Sequence, residues 1–275
     1  MLKKAHILKE LLREPKRIVI TTHRGPDGDA MGASLALYNL LTNIGHNVDV
    51  ITPNDYASFL HWMPGNDSVI EYNGNELSSD AITNKADIIF MLDFNCISRL
   101  DKFADTVNKS DAYKVLIDHH QDPDMNIADL IFSDPDCCST AQLLYDVIID
   151  MEMSNKINQD IAECIYVGIM TDTGSFKYSS TTSATHNIIA ELIKKGARNT
   201  KIHDLIYDNY SADRMKLLGY CINDKLLLYP ENNSAIISLT SEELDRFNFK
   251  KGDTEGIINY ALAVKGIIFA VLIVQ

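Results

Sequence analysis

Aspartates and histidines close the apolar runs in four separate stretches of this 275-residue chain. RIVITT (17–22) runs into His23-Arg24-Gly25-Pro26-Asp27-Gly28-Asp29, and IIFML (88–92) ends in Asp93. YKVLI (113–117) ends in Asp118-His119-His120, and AECIYVGIM (162–170) in Thr171-Asp172-Thr173-Gly174. The carboxylates Asp27, Asp29, Asp93 and Asp172 with the imidazoles His23 and His119 suit Mn²⁺ or Mg²⁺, the nitrogen ligands favouring Mn²⁺. Four negative charges balance two divalent cations. A shared carboxylate can hold such a pair about 3.5–4 Å apart, an arrangement suited to in-line displacement at phosphorus. No G-x-x-x-x-G-K-[ST] or G-x-G-x-x-G loop is present.

Taken singly, each stretch has a plainer use. Asp29 is a good helix N-cap for Ala30 onward, Asp27-Gly28 is a turn, and Asp93 can cap a following helix. Asp172-Thr173-Gly174 also matches the aspartic-protease triplet, but it follows a helix here, whereas those proteins are β-rich. Four independent plain explanations are less economical than one shared site.

The elements that must bring these residues together read as α/β. Strand-like runs at 17–21, 47–51, 88–92 and 113–117 alternate with a helix over 30–43, and helices follow over 139–151, 159–170 and 182–195. Such alternation predicts a parallel sheet covered by helices, which places ligands at the carboxyl ends of its strands. After Gly196 the texture changes. Residues 197–223 read as polar helix, and 225–229, 235–239, 257–263 and 266–274 as strands of a smaller, incomplete α/β domain. The expected boundaries are 1–195 for the catalytic domain, 196–224 for a helical linker and 225–275 for the start of the second domain. Because 275 falls inside an apolar strand, the chain is expected to continue in its natural form.

Composition sets limits on partners. With 25 Lys+Arg against 38 Asp+Glu, the net charge of −13 opposes a grip on long duplex nucleic acid through its backbone. The run 267–274 is far shorter than the ~20 residues a membrane helix needs, and 1–17 reads as an amphipathic helix rather than a secretion signal. Five cysteines with no C-x-x-C pair point to a reducing, cytoplasmic setting.

THRGPDGDAMGAS, MLDFN, LIDHH and GIMTDTGSF together resemble the four ordered motifs of the DHH phosphoesterases, and the chain is most similar to the DHH/DHHA1 branch of nanoRNases that also act on 3′-phosphoadenosine-5′-phosphate (pAp). The resemblance implies His23, Asp27 and Asp93 on one metal, and Asp29, Asp93, His119 and Asp172 on the other, with Asp93 bridging. It implies that His120 faces the scissile phosphate and that Asp118 orients a histidine. Arg99, six residues past Asp93, is a candidate phosphate clamp, with a surface salt bridge as its plain alternative. Ser139-Thr140 resembles a family segment whose helix start helps to hold an anion. The family's Gly-rich substrate-gripping loop has no counterpart here, and Gln142 stands where the family usually has Glu.

The expected activity is therefore Mn²⁺-dependent hydrolysis (Mg²⁺ being the other candidate) of short oligoribonucleotides or linear dinucleotides to mononucleotides, and of pAp to AMP. The alternatives are an inorganic pyrophosphatase or exopolyphosphatase and, from a different class, a non-catalytic nucleotide-binding protein. The expected partners are short RNA or a nucleotide bisphosphate, with no membrane; a homodimer is the expected assembly on frequency alone.

Overall fold

A computed structural model describes residues 1–275 and divides them into two compact units, residues 1–56 with 60–203 and residues 57–59 with 204–275. The first unit opens with α1 (Leu2–Leu11), β1 (Arg17–Thr22), α2 (Gly28–Asn43), β2 (Asn47–Thr52), β3 (Val69–Glu71), α3 (Glu76–Thr83) and β4 (Ile88–Leu92). It continues with α4 (Ala104–Lys109), β5 (Tyr113–Asp118), β6 (Leu130–Ser133), α5 (Thr140–Asp150), α6 (Gln159–Asp172) and α7 (Ser183–Lys194). The six strands form one parallel sheet in the order β3-β2-β1-β4-β5-β6.

Ile18, Val19, Ile20 and all five residues of β4 are buried because helices cover both faces, which is why these strands read as unbroken apolar runs. Strand order reverses between β1 and β4, the point at which open α/β sheets leave a crevice beyond their carboxyl ends. Register makes that crevice specific. Thr22 pairs with Leu92 and Leu92 with Ile117, so His23, Asp93 and Asp118 stand abreast at the carboxyl edge of the sheet.

The short edge strands β3 and β6 were not expected from the sequence. Each has only three or four residues, too few for a pattern to register. Helix α2 begins at Gly28, two residues earlier than expected, because Asp27 and not Asp29 is its N-cap. The Asp27 carboxylate accepts from the amides of Asp29 and Ala30, both at 3.0 Å.

Helices α2 and α6 cross at unusually close range. A Cβ on Gly32 would meet the backbone of Cys164 and Gly168 at 2.7–2.9 Å, and one on Gly168 would meet Ala141 and the Asp29 carboxylate at 2.5–2.8 Å. Glycine at both positions lets the start of α2 lie directly against α6, near whose end Asp172 stands.

The second unit contains the end of α8 (Asn199–Tyr207), α9 (Ala212–Tyr220), β7 (Leu227–Tyr229), β8 (Ser234–Leu239), α10 (Ser241–Arg246), α11 (Ile257–Leu262) and β9 (Phe269–Val274). Its sheet runs β7-β8-β9, antiparallel then parallel. Leu217 and Cys221 belong to its core, so the stretch expected as a linker is built into this unit from residue 204 onward. The strand expected over 257–263 is instead α11. Ile257 and Ala261, four residues apart, are buried while Asn259 and Tyr260 are exposed, a helical rather than alternating pattern.

This packing sets two stability outcomes. Gly32→Ala is expected to destabilise the chain by roughly 1–3 kcal/mol, as overpacking against immovable backbone does, measurable by urea denaturation. Asp146 on α5 is held at a raised pKa of about 6 by burial and by the nearby Asp150 and Asp134 charges. The folded state therefore gains stability as pH falls through 6 and is penalised above it. Asp146→Asn should raise the melting temperature at pH 7.5, and that advantage should vanish near pH 4.

Candidate metal centre

Three triads of potential ligand atoms converge at the switch point, each within 4.8 Å: His23-Asp27-Asp93, Asp29-His119-Asp172 and Asp93-His119-His120. Asp93 enters two of them. It follows β4 directly with a φ of 65°, left-handed backbone that is rare outside glycine, and such strain persists only where surroundings enforce it. Its amide donates to Ile117 O at 3.1 Å, and its carboxylate accepts from Thr140 Oγ1 at 2.8 Å and lies 3.4 Å from His23 Nε2.

The histidines are posed as ligands. His23 Nδ1 faces the Arg24 carbonyl at 2.9 Å and His119 Nδ1 the Cys137 carbonyl at 3.2 Å. A neutral ring that donates from Nδ1 leaves the Nε2 lone pair for the crevice, the arrangement metal-binding histidines favour. His119 Nε2 indeed points among Asp172, Asp93 and Asp29, at 3.5, 3.7 and 3.9 Å.

Asp27 and Asp29 perform structural and site duties together. One oxygen of Asp27 caps α2, leaving the other for the His23-Asp93 triad. Asp29 is 1% exposed, and both of its oxygens accept from the first amides of α5, Thr140 N at 2.6 Å and Ala141 N at 2.9 Å. The residues expected near a substrate anion, Ser139 and Thr140, are fully buried. The anion at their helix start is the chain's own Asp29, while the Ser139 hydroxyl caps α5 by accepting from Gln142 N. Nothing in the local sequence signalled this pairing, because Asp29 and Thr140 are 111 residues apart.

The charges are out of balance without cations. Burial first, then the charges of Asp93, Asp172 and Asp27, push the Asp29 carboxyl well up. Burial and the Asp93 and Asp27 charges raise Asp172 to about 6, against the pull of His119. Burial also opposes the Asp93 anion, but His23, His119 and Thr140 hold its pKa below the ordinary range. Clustered hard oxygens with two correctly turned imidazoles fit a divalent-metal site.

His120 stands at the edge, its side chain 38% exposed, with Nδ1 2.7 Å from the wholly buried Asp118. That hydrogen bond raises the His120 pKa. Arg99 is half-buried and near enough for its charge to oppose this rise, and its carbonyl accepts from Arg24 N at 2.7 Å.

Residues 17–169 match the DHH family, N-terminal domain. The chain belongs to the DHH family. It is 26% identical over 254 residues to the bifunctional oligoribonuclease and PAP phosphatase NrnA of Bacillus subtilis, covering 91% of this chain and 75% of that protein. An exopolyphosphatase-related protein from Bacteroides fragilis superposes with a TM-score of 0.93 at 38% identity, covering 97% of this chain and 78% of the other. RecJ from Thermus thermophilus, solved with Mn²⁺, shares the fold at a TM-score of 0.53 and 11% identity. The chain is thus a hydrolase of phosphoester bonds with a parallel α/β catalytic unit. No helix is long and apolar enough to cross a membrane.

Asp93→Ala is expected to lower the bound divalent cation and to abolish phosphoester hydrolysis, because both triads that contain Asp93 lose it. Metal analysis and an activity assay check this; residual activity above a few per cent would refute a ligand role for Asp93.

Proposed function

We propose that the chain hydrolyses very short oligoribonucleotides or linear dinucleotides to mononucleotides, and pAp to AMP, with two Mn²⁺ ions as cofactor. The observation that carries this reading is the pair of triads, His23-Asp27-Asp93 and Asp29-His119-Asp172, which lie beside each other at the switch point. His23, Asp27 and Asp93 would hold one cation, and Asp29, His119 and Asp172 the other, with Asp93 reaching both. Bound there, the pair supplies Lewis acidity toward phosphoryl oxygens and eases deprotonation of water.

The remaining steps belong to side chains. Asp118 fixes His120 through Nδ1 and favours its protonated form, so His120 can deliver a proton to the departing oxygen. Arg99, whose charge reaches His120, would hold a phosphate beside it. Thr140 and the first amides of α5 keep Asp29 and Asp93 turned into the crevice and touch no substrate. The substrate class is supported by the NrnA relatives from Bacillus subtilis, Streptococcus mutans and Thermus thermophilus, 26–29% identical. A net charge of −13 fits a small substrate held at one site rather than a long polyanion held along a surface. Five free cysteines suit a cytoplasmic setting.

A second reading, exopolyphosphatase or pyrophosphatase activity, is favoured by the 38% identity to the exopolyphosphatase-related protein from Bacteroides fragilis. Chromatography of four substrates with Mn²⁺ separates the two: a 5′-phosphorylated diribonucleotide, pAp, pyrophosphate and polyphosphate, with Asp93→Ala as the blank. Mononucleotides from the first two are expected; phosphate from the last two alone would establish the second reading. Silence on all four with metal bound would favour a nucleotide-binding protein without catalysis. His120→Ala should retain both cations and lose roughly 10²–10⁴ in rate, as removal of an acid–base group does. Loss of metal along with rate would make His120 a ligand instead.

A further inference from the structure

The second unit contains a cavity of about 240 Å³ whose walls include three tyrosines, Tyr207, Tyr210 and Tyr260, with Arg214, Asn259 and an apolar floor of Leu218 and Ile257. None of these residues belongs to the metal centre. The Arg214 guanidinium lies 3.6 Å from the centre of the Tyr210 ring, and its Nη2 donates to the Glu255 carbonyl at 2.9 Å. Tyr210 is half-buried, and burial raises its phenol against the pull of Arg214. Tyr260 keeps 51% of its surface exposed and Met215 52%, a large apolar area left open at the rim of a cavity. At Gly256, with φ of 78°, the wall has open space where a side chain would stand.

These features select a chemistry. Aromatic rings beside an arginine plane offer stacking surfaces for a flat ring, each stack being tolerant of the ring's identity. The cavity is below the ~300–1,000 Å³ of sites that take drug-sized molecules, which suits one ring system. A phosphate is disfavoured. Arg214 is the single cation in the lining and already holds a ring and a carbonyl, while the acidic residue Glu255 lines the same wall. The Asn259 amide both donates and accepts, the pattern that reads an amino group beside a ring nitrogen.

We propose that this cavity binds an uncharged heteroaromatic ring bearing an exocyclic amino group, that is, a nucleobase of the adenine or cytosine kind. The site is distinct from the crevice that acts on phosphorus, and the inference stands whichever phosphoester the enzyme prefers. The base comes either from one nucleoside of a substrate or from a separate nucleoside that binds without being cleaved.

Ligand-observed NMR and calorimetric titration of the full-length protein with adenosine, cytidine, uridine and ribose 5-phosphate test the proposal without requiring turnover, since the nucleosides carry no phosphate. Adenosine and cytidine are expected to bind with ring protons in contact, uridine more weakly, and ribose 5-phosphate is expected not to displace them. Tyr260→Ala removes an exposed ring and Tyr210→Leu a half-buried one. Each should weaken adenosine about 5-fold or more, the size of one lost base stack. Asn259→Ala should narrow the gap between adenosine and uridine. Melting temperature shows whether Tyr210→Leu stays folded; if it does not, Tyr260→Ala and Asn259→Ala decide. Absence of nucleoside binding, binding untouched by the variants, or displacement by ribose 5-phosphate would each overturn the proposal. If it holds, competition by adenosine against a dinucleotide substrate identifies the base as the substrate's own, whereas unchanged or altered turnover without competition identifies a separate ligand.

Discussion

Mutual repulsion of buried carboxylates is the constraint around which the first unit is arranged. Asp29 and Asp93 are almost wholly buried, beside Asp172 and Asp27, and each added charge raises the cost of the others. The fold offsets part of that cost before any cation arrives. The two leading amides of α5 hold Asp29, the Thr140 hydroxyl and His23 hold Asp93, and α2's own first amides hold Asp27. What the protein does not offset raises Asp29 and Asp172, and a pair of divalent cations is the charge that would balance it.

That electrostatic arrangement depends on close packing. Asp29 meets the start of α5 only because α2, α5 and α6 approach to within the reach of a missing methyl group at Gly32 and Gly168. Larger residues there would part the helices that bring Asp29 and Asp172 together. The glycines are thus positioning residues in the plainest sense, spacing two carboxylates without adding a ligand atom of their own. The strained φ at Asp93 belongs to the same logic, since leaving β4 in the left-handed region turns the carboxylate back over the strand ends.

The two units divide the work differently. In the first, carboxylates and imidazoles meet in a crevice in which Asp29 and Asp93 are almost wholly buried, so their interactions are strong. In the second, a small three-stranded sheet with α9 and α11 leaves an aromatic cavity with a single, already engaged arginine. One chemistry suits phosphorus and its leaving oxygen, the other a flat ring.

The sequence alone determined the strand and helix identities around the crevice, the four stretches that feed it and the DHH resemblance, because a parallel sheet buried on both faces writes its strands as apolar runs that stop where ligands begin. Residues 257–263 misled as a strand because six or seven apolar residues carry too few turns to separate period 3.6 from period 2. Tertiary structure alone decided which oxygen does what. The leading amides of α5, at Thr140 and Ala141, go to Asp29, and the Thr140 hydroxyl goes to Asp93. It also decided that residues 207–218 and 255–260 share one cavity. Local spacing cannot encode contacts between residues far apart in sequence; they arise only when strand register and helix crossings close the distance.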